Sequence, residues 1–445
     1  MSYQVDKMNQ DNVFQVKKDY LLDTLSMYWT SNRQLVEELP VVQLNISSDE
    51  ELPPQLMFVS LPEWAHDCGV QGQLLVPQKF VAQADGEAWQ HVDWFATIFW
   101  YLNNSAERQY EKENRTIHSY SARLKGWDER LWERAWVNRI GLFLRRWAAH
   151  RKKQDETELF GDLPEPQIIL THDVDAIFKT KSTRLKQAAF HLFNALRMAS
   201  HLRLRRAGAK LADFFRFLFS HDNYCCFEII KEMETSRGVK SCFNFYGGQG
   251  QRGMTLKEKL FDPRYSVTDG TLQKIIRDLR EGGWQIGLHQ SFDNWHDSQC
   301  MLAEKSRLEE SLGEDVPSCR QHWLRFSFAD TWIAQQAAGF QLDSTLGFND
   351  RCALRNGSAL AHHPWDDRHQ RPMRLKAMPM VLMDSHLYDY QPLDESSRRR
   401  ELKKWIDEIQ AVHGSATVIW HQRVFSRDYG WGASYEYLLS LLSPS

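Results

Sequence analysis

From residue 166 onward, short apolar runs alternate with amphipathic helical segments, and this alternation is the feature that most limits what the chain can fold into. Strands that alternate with helices along a chain form a parallel sheet with helices packed outside it. The pattern therefore predicts an α/β fold, either a doubly wound sheet or, since there are seven strand candidates, a (β/α) barrel one unit short of eight. The candidates are 168–171, 241–246, 284–288, 318–322, 339–343, 375–379 and 416–420.

Residues 1–165 lack this regular alternation of strands and helices. They predict a separate, smaller α/β domain whose role the sequence does not indicate. Asp93 and Asp128 each precede an apolar periodic segment, as expected of residues that cap helix N-termini. The segment after Asp128 carries an aromatic residue every three to four positions, which predicts a buried helix face. The polar, proline-containing stretch 152–167 predicts the linker to a second domain at 166–445. Strand candidates in the first domain are 41–46, 55–60 and 73–77.

One segment of the second domain is strongly basic. Residues 179–219 contain ten Lys or Arg and a single acid, Asp213, although the formal charge of the whole chain is -3. Apolar residues interleave with the charges, so the segment predicts an inserted pair of helices. Its basic face is either solvated or makes peripheral contact with an anionic membrane or a phosphate-bearing substrate. Nucleic acid is not expected as a partner, because the nearly neutral chain has no extended basic surface.

Cysteine usage and hydropathy indicate the compartment. No window reaches the ~18 consecutive apolar residues of a membrane helix, and the start of the chain shows no secretory signal. The seven cysteines include no Cys-x-x-Cys pair, which is typical of reduced thiols inside a cell. We therefore expect a cytoplasmic protein. No glycine-rich phosphate-binding motif follows a strand candidate, which argues against a nucleotide-dependent enzyme.

Polar side chains follow the strand candidates of the predicted barrel. Asp173 and Asp175 come after the first, His289 after the third and His421 after the seventh, while Arg320 lies in the fourth. Reactive groups of (β/α) barrels lie at the carboxyl ends of the strands. We therefore expect these side chains to share one cleft.

The Asp and His side chains, without cysteine, suit a divalent metal, with zinc, manganese, cobalt and nickel as candidates. The predicted ligands are Asp175, His289 and Asp293, since His289 and Asp293 are four residues apart and would face one side of a helical turn. Asp293 could instead be a helix cap or a surface acid. His322 could be a further ligand, a residue that orients a ligand, or part of the core.

The remaining polar residues suggest hydrolysis. A divalent ion lowers the pKa of its bound water from 15.7 towards ~7, which makes hydroxide available for attack on a carbonyl. Asp173 could accept the proton of that water, with Arg320 keeping the carboxylate ionised. His421 could then protonate the leaving amine or alcohol. Two alternatives stay open: Arg320 could only bridge neighbouring loops, and His421 could stack on Trp420.

Five segments in this order, THDVD, IGLHQS, RQHWLRF, DSTLGF and WHQRVF, resemble the polysaccharide deacetylase family, also called carbohydrate esterase family 4 or the NodB-homology domain. The resemblance covers about 166–425 and, more weakly, 55–150, as in the branch with an extra N-terminal domain. It implies a distorted seven-stranded (β/α) barrel and metal-dependent removal of N-acetyl groups from amino sugars of surface polysaccharides. The residue roles that it implies are catalytic base for Asp173, first metal-binding histidine for His289, partner of the base for Arg320 and general acid for His421.

Two positions depart from the family pattern. Val174 interrupts the usual adjacent pair of aspartates, and Asp293 stands where the second metal-binding histidine is expected. The departures leave two alternatives to a sugar N-deacetylase: a glycan-binding or scaffolding protein that has lost turnover, and a metal hydrolase of another amide or ester. For a cytoplasmic enzyme the resemblance favours a precursor sugar, either nucleotide-linked or carried on a lipid.

Overall fold

The structure, a computed structural model, describes residues 14–44, 50–200, 202, 204–220, 222–250, 254–391 and 393–442. An N-terminal α/β unit precedes a parallel barrel, and a pair of helices is inserted after the first barrel strand. Within these ranges, no helix has the length and apolar character needed to cross a membrane.

The N-terminal unit places helices around one two-stranded antiparallel sheet. Two predicted strands are confirmed as β1 (Leu56–Ser60) and β2 (Gln73–Pro77). In contrast, 41–44 form no strand, and 45–46 lie outside the described residues. Asp93 caps its helix as predicted, since its carboxylate accepts a hydrogen bond from Ala96 N at 2.9 Å. The helices are α1 (14–24), α2 (Arg33–Glu37), α3 (Trp94–Leu102), α4 (Ser105–Glu113), α5 (Trp136–Lys152) and α6 (Glu156–Phe160).

The aromatic-rich helix α5 starts later than predicted. Asp128 caps only a short 3-10 turn, Glu129–Trp132, and α5 begins at Trp136. The cause is a tertiary contact: Ala135 N donates to a carboxylate oxygen of Glu408 at 2.9 Å, which draws the chain towards the barrel before the helix begins. The aromatic face of α5 is buried, as the periodicity predicts.

The second unit is a parallel barrel, which confirms the predicted fold class. Its strands are β3 (Gln167–Val174), β4 (Cys242–Tyr246), β5 (Gln285–Gln290), β6 (Ser318–Gln321), β7 (Leu342–Asp343), β10 (Lys376–Ala377), β11 (Met380–Met383) and β12 (Ser415–Ile419), while β8 (Trp365–Asp366) and β9 (Arg371–Pro372) form a separate hairpin. The eight barrel segments lie in the order β10-β7-β6-β5-β4-β3-β12-β11. Each neighbouring pair is parallel.

Two of these segments are halves of one broken strand, so the barrel has seven strands. β10 and β11 are separated only by Met378 and Pro379, yet they lie at opposite ends of the strand order. Met378 N donates to Asp343 O beside β7 at 2.8 Å, and Pro379 O accepts from Thr417 N on β12 at 2.8 Å. The broken strand therefore closes the barrel between β7 and β12. The predicted strand 375–379 covers only its first half.

Helices surround the barrel strands, and the basic segment forms the predicted pair of helices. This pair is α7 (Lys181–Ser200) and α8 (Leu204–Phe219). The other helices are α9 (Phe227–Thr235), α10 (Leu256–Phe261), α11 (Gly270–Glu281), α12 (Ser298–Leu312), α13 (Thr331–Ala337), α14 (Glu395–Ala411) and α15 (Gly432–Leu442).

The two units are firmly joined. The predicted linker 152–167 contains α6, and Phe160 at the end of this helix is buried in the N-terminal core. Trp365 of the second unit belongs to the same apolar cluster. Arg355 Nε donates to both carboxylate oxygens of Glu107, at 3.1 and 3.2 Å, and both side chains are buried. The division into domains at 1–165 and 166–445 remains a prediction.

Candidate active site at the carboxyl end of the barrel

The spacing of two acids at the end of β3 directs both carboxylates into the barrel. Successive side chains of a strand point to opposite faces. Asp173 faces the interior, whereas Val174 packs in the apolar core and His172 contacts Glu234 at 3.0 Å. Asp175, two residues beyond Asp173, returns to the interior side. The intervening Val174 therefore brings the two carboxylates together.

Asp173 is held in its ionised form. Its Oδ1 accepts hydrogen bonds from Arg320 Nη1 at 3.0 Å and from Asn244 Nδ2 at 2.8 Å. Arg320 is fully buried and also donates to Thr171 Oγ1 at 2.6 Å and to Ser344 O at 3.0 Å. Burial raises the pKa of Asp173, but the charge of Arg320 outweighs it, and the pKa falls to about 2. Arg320 thus lies beside the proposed base and not merely between loops.

Three candidate metal ligands converge next to Asp173. Asp175 Oδ1 lies 3.3 Å from His289 Nε2 and 3.5 Å from His322 Nε2. Among the described residues, this buried oxygen has no hydrogen-bond partner. Ligand atoms bound tetrahedrally to zinc at ~2.0–2.1 Å are about 3.4 Å apart. The three side chains therefore fit a divalent ion and leave a further coordination position open.

Asp293, predicted as the third ligand, lies outside this cluster, and His322 stands in its place. The side chain of Asp293 is 39% exposed, and its carboxylate lies 2.5 Å from Lys257 Nζ and 3.9 Å from Arg325 Nη2. The prediction of this ligand assumed a helical turn after the strand. The chain beyond β5 instead forms a series of turns, so His289 and Asp293 do not share a helical face.

His322 is oriented for a ligand role. It begins a 3-10 turn directly after β6, and its Nδ1 lies 3.3 Å from Asp262 Oδ1 while its Nε2 faces Asp175. Burial lowers the pKa of His322 despite these two carboxylates. A neutral imidazole whose second nitrogen contacts a carboxylate is the usual form of a metal-binding histidine. The geometry thus favours the ligand role among the three alternatives.

Arg423 balances the charge of the cluster. Its guanidinium donates a short hydrogen bond to Asp175 Oδ2, the oxygen that does not face the two histidines of the cluster. Burial raises the pKa of Asp175, but the neighbouring Arg423 and histidines outweigh it and hold the pKa well below its usual value. Asp175 is therefore an ionised ligand at neutral pH.

His421 lies at the same cleft, with its Nε2 3.6 Å from Asp175 Oδ2. Asp384 holds the other side of the ring: Nδ1 lies 2.9 Å from Asp384 Oδ1, and His421 N donates to Asp384 Oδ2 at 2.6 Å. Burial lowers the pKa of His421, but the Asp384 carboxylate outweighs it and keeps the pKa above its usual value. A histidine in this setting is suited to donate a proton at neutral pH.

Asp384 is one of the residues of the site that sequence reasoning missed, together with Asn244, Asp262 and Arg423. Asp384 is fully buried and directly follows β11. The signal was an acid after an apolar run, the same pattern that identifies Asp173. Pro379 interrupts that run, and the predicted strand therefore stopped before its second half.

A cavity of about 400 Å³ opens beside the ligand cluster. Asp175, Asp262 and Tyr265 lie in its wall, together with the basic residues Lys259 and Arg264. Pockets of ~300–1,000 Å³ take small molecules. The cavity therefore has room for a substrate group next to Asp175.

Trp323 immediately follows His322, and the two rings lie with their centroids 6.5 Å apart. Its backbone lies in the left-handed region, with φ 57° and ψ 25°, which is unfavourable for a bulky side chain. The side chain is 40% exposed and meets the ring of Phe292 edge-on, with centroids 6.0 Å apart. A strained backbone beside a candidate ligand indicates a functional constraint. Here it leaves a flat apolar surface exposed next to the candidate ligand His322.

Fold and site together define a parallel (β/α)-barrel protein. Its site contains the ligand cluster Asp175, His289 and His322, an aspartate paired with an arginine (Asp173 with Arg320), and a histidine bound to a carboxylate (His421 with Asp384). No protein-family model matches the chain, and no curated protein does. Solved structures are similar at low identity. A Mycobacterium smegmatis protein described as a polysaccharide deacetylase is 14% identical, with a TM-score of 0.37, over 64% of this chain and 85% of its own.

Two further structures show the same range of similarity. The CE4 domain of a multidomain xylanase, from the hindgut metagenome of Trinervitermes trinervoides, is 10% identical with a TM-score of 0.29, over 62% of this chain and 83% of its own. An allantoinase is 13% identical with a TM-score of 0.36, over 62% and 84%. The deacetylase and CE4 structures are of the kind that the sequence motifs resemble. Because the TM-scores lie below 0.5, the case for a function rests on the residues of the site.

Proposed function

We propose that the chain is a metal-dependent hydrolase that removes the acetyl group from an N-acetylated sugar during assembly of a bacterial surface polysaccharide. One observation carries the proposal: a base, Asp173, and an acid, His421, flank the ligand cluster Asp175, His289 and His322 in one cleft. Two imidazoles and one carboxylate with an open position favour zinc. When bound, such an ion lowers the pKa of its water and polarises the acetamido carbonyl.

Asp173 accepts the proton of the attacking water. Its Oδ1 is held by Arg320 and Asn244, so the proton goes to Oδ2. The buried guanidinium of Arg320 fixes the carboxylate and keeps it ionised until the water attacks. The oxygen of the water then forms the new bond to the carbonyl carbon.

His421 acts in the second half of the reaction. Its Nδ1 is held by Asp384, so the proton on Nε2 is the one delivered to the sugar nitrogen as the carbon–nitrogen bond breaks. Acetate and a sugar amine are the products. The Asp384 carboxylate stabilises the protonated ring before this transfer.

The surroundings of the cluster favour a sugar substrate. The exposed indole of Trp323 offers a face on which a pyranose ring can stack. Lys259 and Arg264 line the cavity beside Asp175 and can meet phosphates. A precursor sugar linked to a nucleotide or to a lipid phosphate combines both features.

The test combines metal analysis with an acetate-release assay on N-acetylglucosamine oligosaccharides and on a nucleotide-linked N-acetyl sugar. Near-stoichiometric metal and acetate release are expected of the native chain. His322→Ala should lose both the metal and the activity. Asp173→Asn should keep the metal and lose about 100-fold or more in rate. Asp293→Ala, the matched control, should keep both.

Three results would contradict the proposal. Metal retained by His322→Ala would place the ion elsewhere. Bound metal without acetate release from any sugar would favour the glycan-binding alternative. Release from O-acetyl esters alone would identify a different hydrolase.

A further inference from the structure

The helices α7 and α8, which we call the basic hairpin, are inserted next to the candidate active site. They follow β3 only a few residues beyond Asp175, at the carboxyl end of the barrel. They are fixed to the barrel at two places: Lys179, just before α7, forms a buried ion pair with Asp428, and Lys210 of α8 lies 3.5 Å from Asp389. Arg184 Nη1 also donates to Leu218 O at 2.8 Å, which links the two helices.

The basic hairpin exposes large apolar side chains in addition to those that it buries, such as Met198 and Phe217. Polar side chains such as His191 and Asn194 are buried on its inner side. Other leucine and phenylalanine side chains point outwards, and they make up half of the exposed large apolar residues of the described chain. In α7 these are Leu185, Phe190, Leu192, Phe193 and Leu196, and in α8 they are Leu204, Leu211, Phe215 and Phe219.

The outward residues form one stripe on each helix. In each helix, exposed positions without charge recur every three to four residues. In α7 they are 185, 189, 192, 193 and 196, and in α8 they are 204, 208, 211, 215 and 219. Leu202, between the helices, is 87% exposed. An apolar surface of this extent on a folded protein marks a site of contact with another protein or with a membrane.

The charge of the same segment favours a membrane as the partner. Residues 179–219 carry ten Lys or Arg against one acid, whereas the chain as a whole has a formal charge of -3. Lys181, Arg197, Arg205 and Arg216 are exposed beside the apolar stripes. Outward apolar side chains flanked by basic residues match a bilayer with anionic headgroups.

We propose that the basic hairpin docks the carboxyl end of the barrel onto an anionic lipid surface. A second copy of the chain fits the hairpin less well, because two basic hairpins face to face would repel each other. This docking surface is independent of the reaction proposed above, and it accounts for the apolar stripes that a purely electrostatic contact would not need.

The test is flotation of the full chain with vesicles of phosphatidylcholine alone or with one quarter phosphatidylglycerol. Binding to the anionic vesicles is expected to be about tenfold or more tighter, since each basic residue near such a surface contributes about fivefold. It should weaken as salt is raised, because salt screens the electrostatic part.

Variants separate the two parts of the interaction. Phe193→Ser combined with Phe215→Ser removes outward apolar surface without changing charge, and should weaken vesicle binding about tenfold. Ile229→Ser combined with Leu302→Ser, on exposed surfaces of α9 and α12, is the matched control and should bind as the native chain does. Acetate release from a water-soluble substrate should be unchanged in both double variants.

Equal affinity for neutral and anionic vesicles, no binding to either, or equal loss in the control would overturn the proposal. Self-association that disappears only in Phe193→Ser/Phe215→Ser, measured by sedimentation without lipid, would assign the surface to a second copy of the chain instead. Because flotation needs no substrate, its result does not depend on whether the chain proves to be a deacetylase.

Discussion

Replacing Asp384 by asparagine is expected to slow the proposed reaction while leaving the fold intact. Asp384 is fully buried and accepts two hydrogen bonds from His421, one from the backbone N–H at 2.6 Å and one from ring Nδ1 at 2.9 Å. Asparagine has nearly the same shape and can still accept one of these bonds. The substitution therefore removes the negative charge and one of the two hydrogen bonds to His421, with little change in side-chain volume.

The size of the effect follows from the bond that is weakened. A hydrogen bond to a charged group contributes ~1.5–3 kcal/mol, and each 1.4 kcal/mol is about a factor of ten. The imidazole should therefore hold its proton about 10- to 100-fold less tightly, and kcat/KM at neutral pH should fall by a similar factor. Water cannot replace the lost charge, because Asp384 is shielded from solvent.

The pH profile of kcat/KM distinguishes this loss from a structural one. Asp384 raises the pKa of His421, so the protonated acid persists to higher pH than in an ordinary histidine and is lost as pH rises through that pKa. In Asp384→Asn the alkaline decline should begin at lower pH. Asp366→Asn is the control, since Asp366 pairs with His369 Nδ1 at 2.7 Å in the β8–β9 hairpin. An unmoved alkaline decline, or a rate loss no larger than that of the control, would refute the role of His421 as acid.

Three further predictions concern stability and substrate binding. Burial lowers the pKa of His386 to about 4, so as pH falls this histidine is protonated in the unfolded chain before it is protonated in the folded one. The free energy of unfolding should therefore drop by about 3 kcal/mol between pH 6.5 and 4 through this group. Urea titrations of His386→Gln should show an acid dependence that is smaller by that amount. Arg355→Met leaves the buried Glu107 unpaired and should cost ~3–5 kcal/mol in urea unfolding, whereas adding Glu107→Gln should restore part of it; a double variant as unstable as the single one would count against the ion pair. Trp323→Ala should raise KM for a sugar substrate about three- to tenfold at unchanged kcat, and a change in kcat alone would exclude a stacking role.

Much of the fold could be predicted because each barrel strand is a short apolar run bounded by glycine or polar residues. The seven strand candidates all correspond to barrel strands, with errors at their ends. The failures have tertiary causes. The amide of Ala135 bonds to Glu408, which delays the start of α5, and Pro379 sits where one strand changes partners, which hides its second half.

In the site, too, some positions could be predicted from the sequence and others could not. Asp173, Asp175, His289, Arg320 and His421 all lie in one cleft, because the carboxyl ends of parallel strands meet at one end of the barrel. Their roles remain proposals. The position of Asp293 could not be read from spacing, because a four-residue interval brings side chains together only on a helix. Three roles were open for His322, namely a further ligand, a residue that orients a ligand, or part of the core, and only the turn after β6 orients it towards Asp175.

The broken strand that closes the barrel also sets where the barrel opens first. β10 and β7 pair through only two residues each, so this seam is held by few backbone hydrogen bonds. Asp384 and His386 follow directly on β11, the other half of the same strand. A transient opening of the seam would free β10 from β7 while β11 stays paired with β12, so Asp384 would remain beside His421. Amide hydrogen exchange should therefore be faster along 376–377 than along 380–383, well below the denaturant concentration at which the whole chain unfolds. The proton donor would then stay assembled while the barrel opens on its other side.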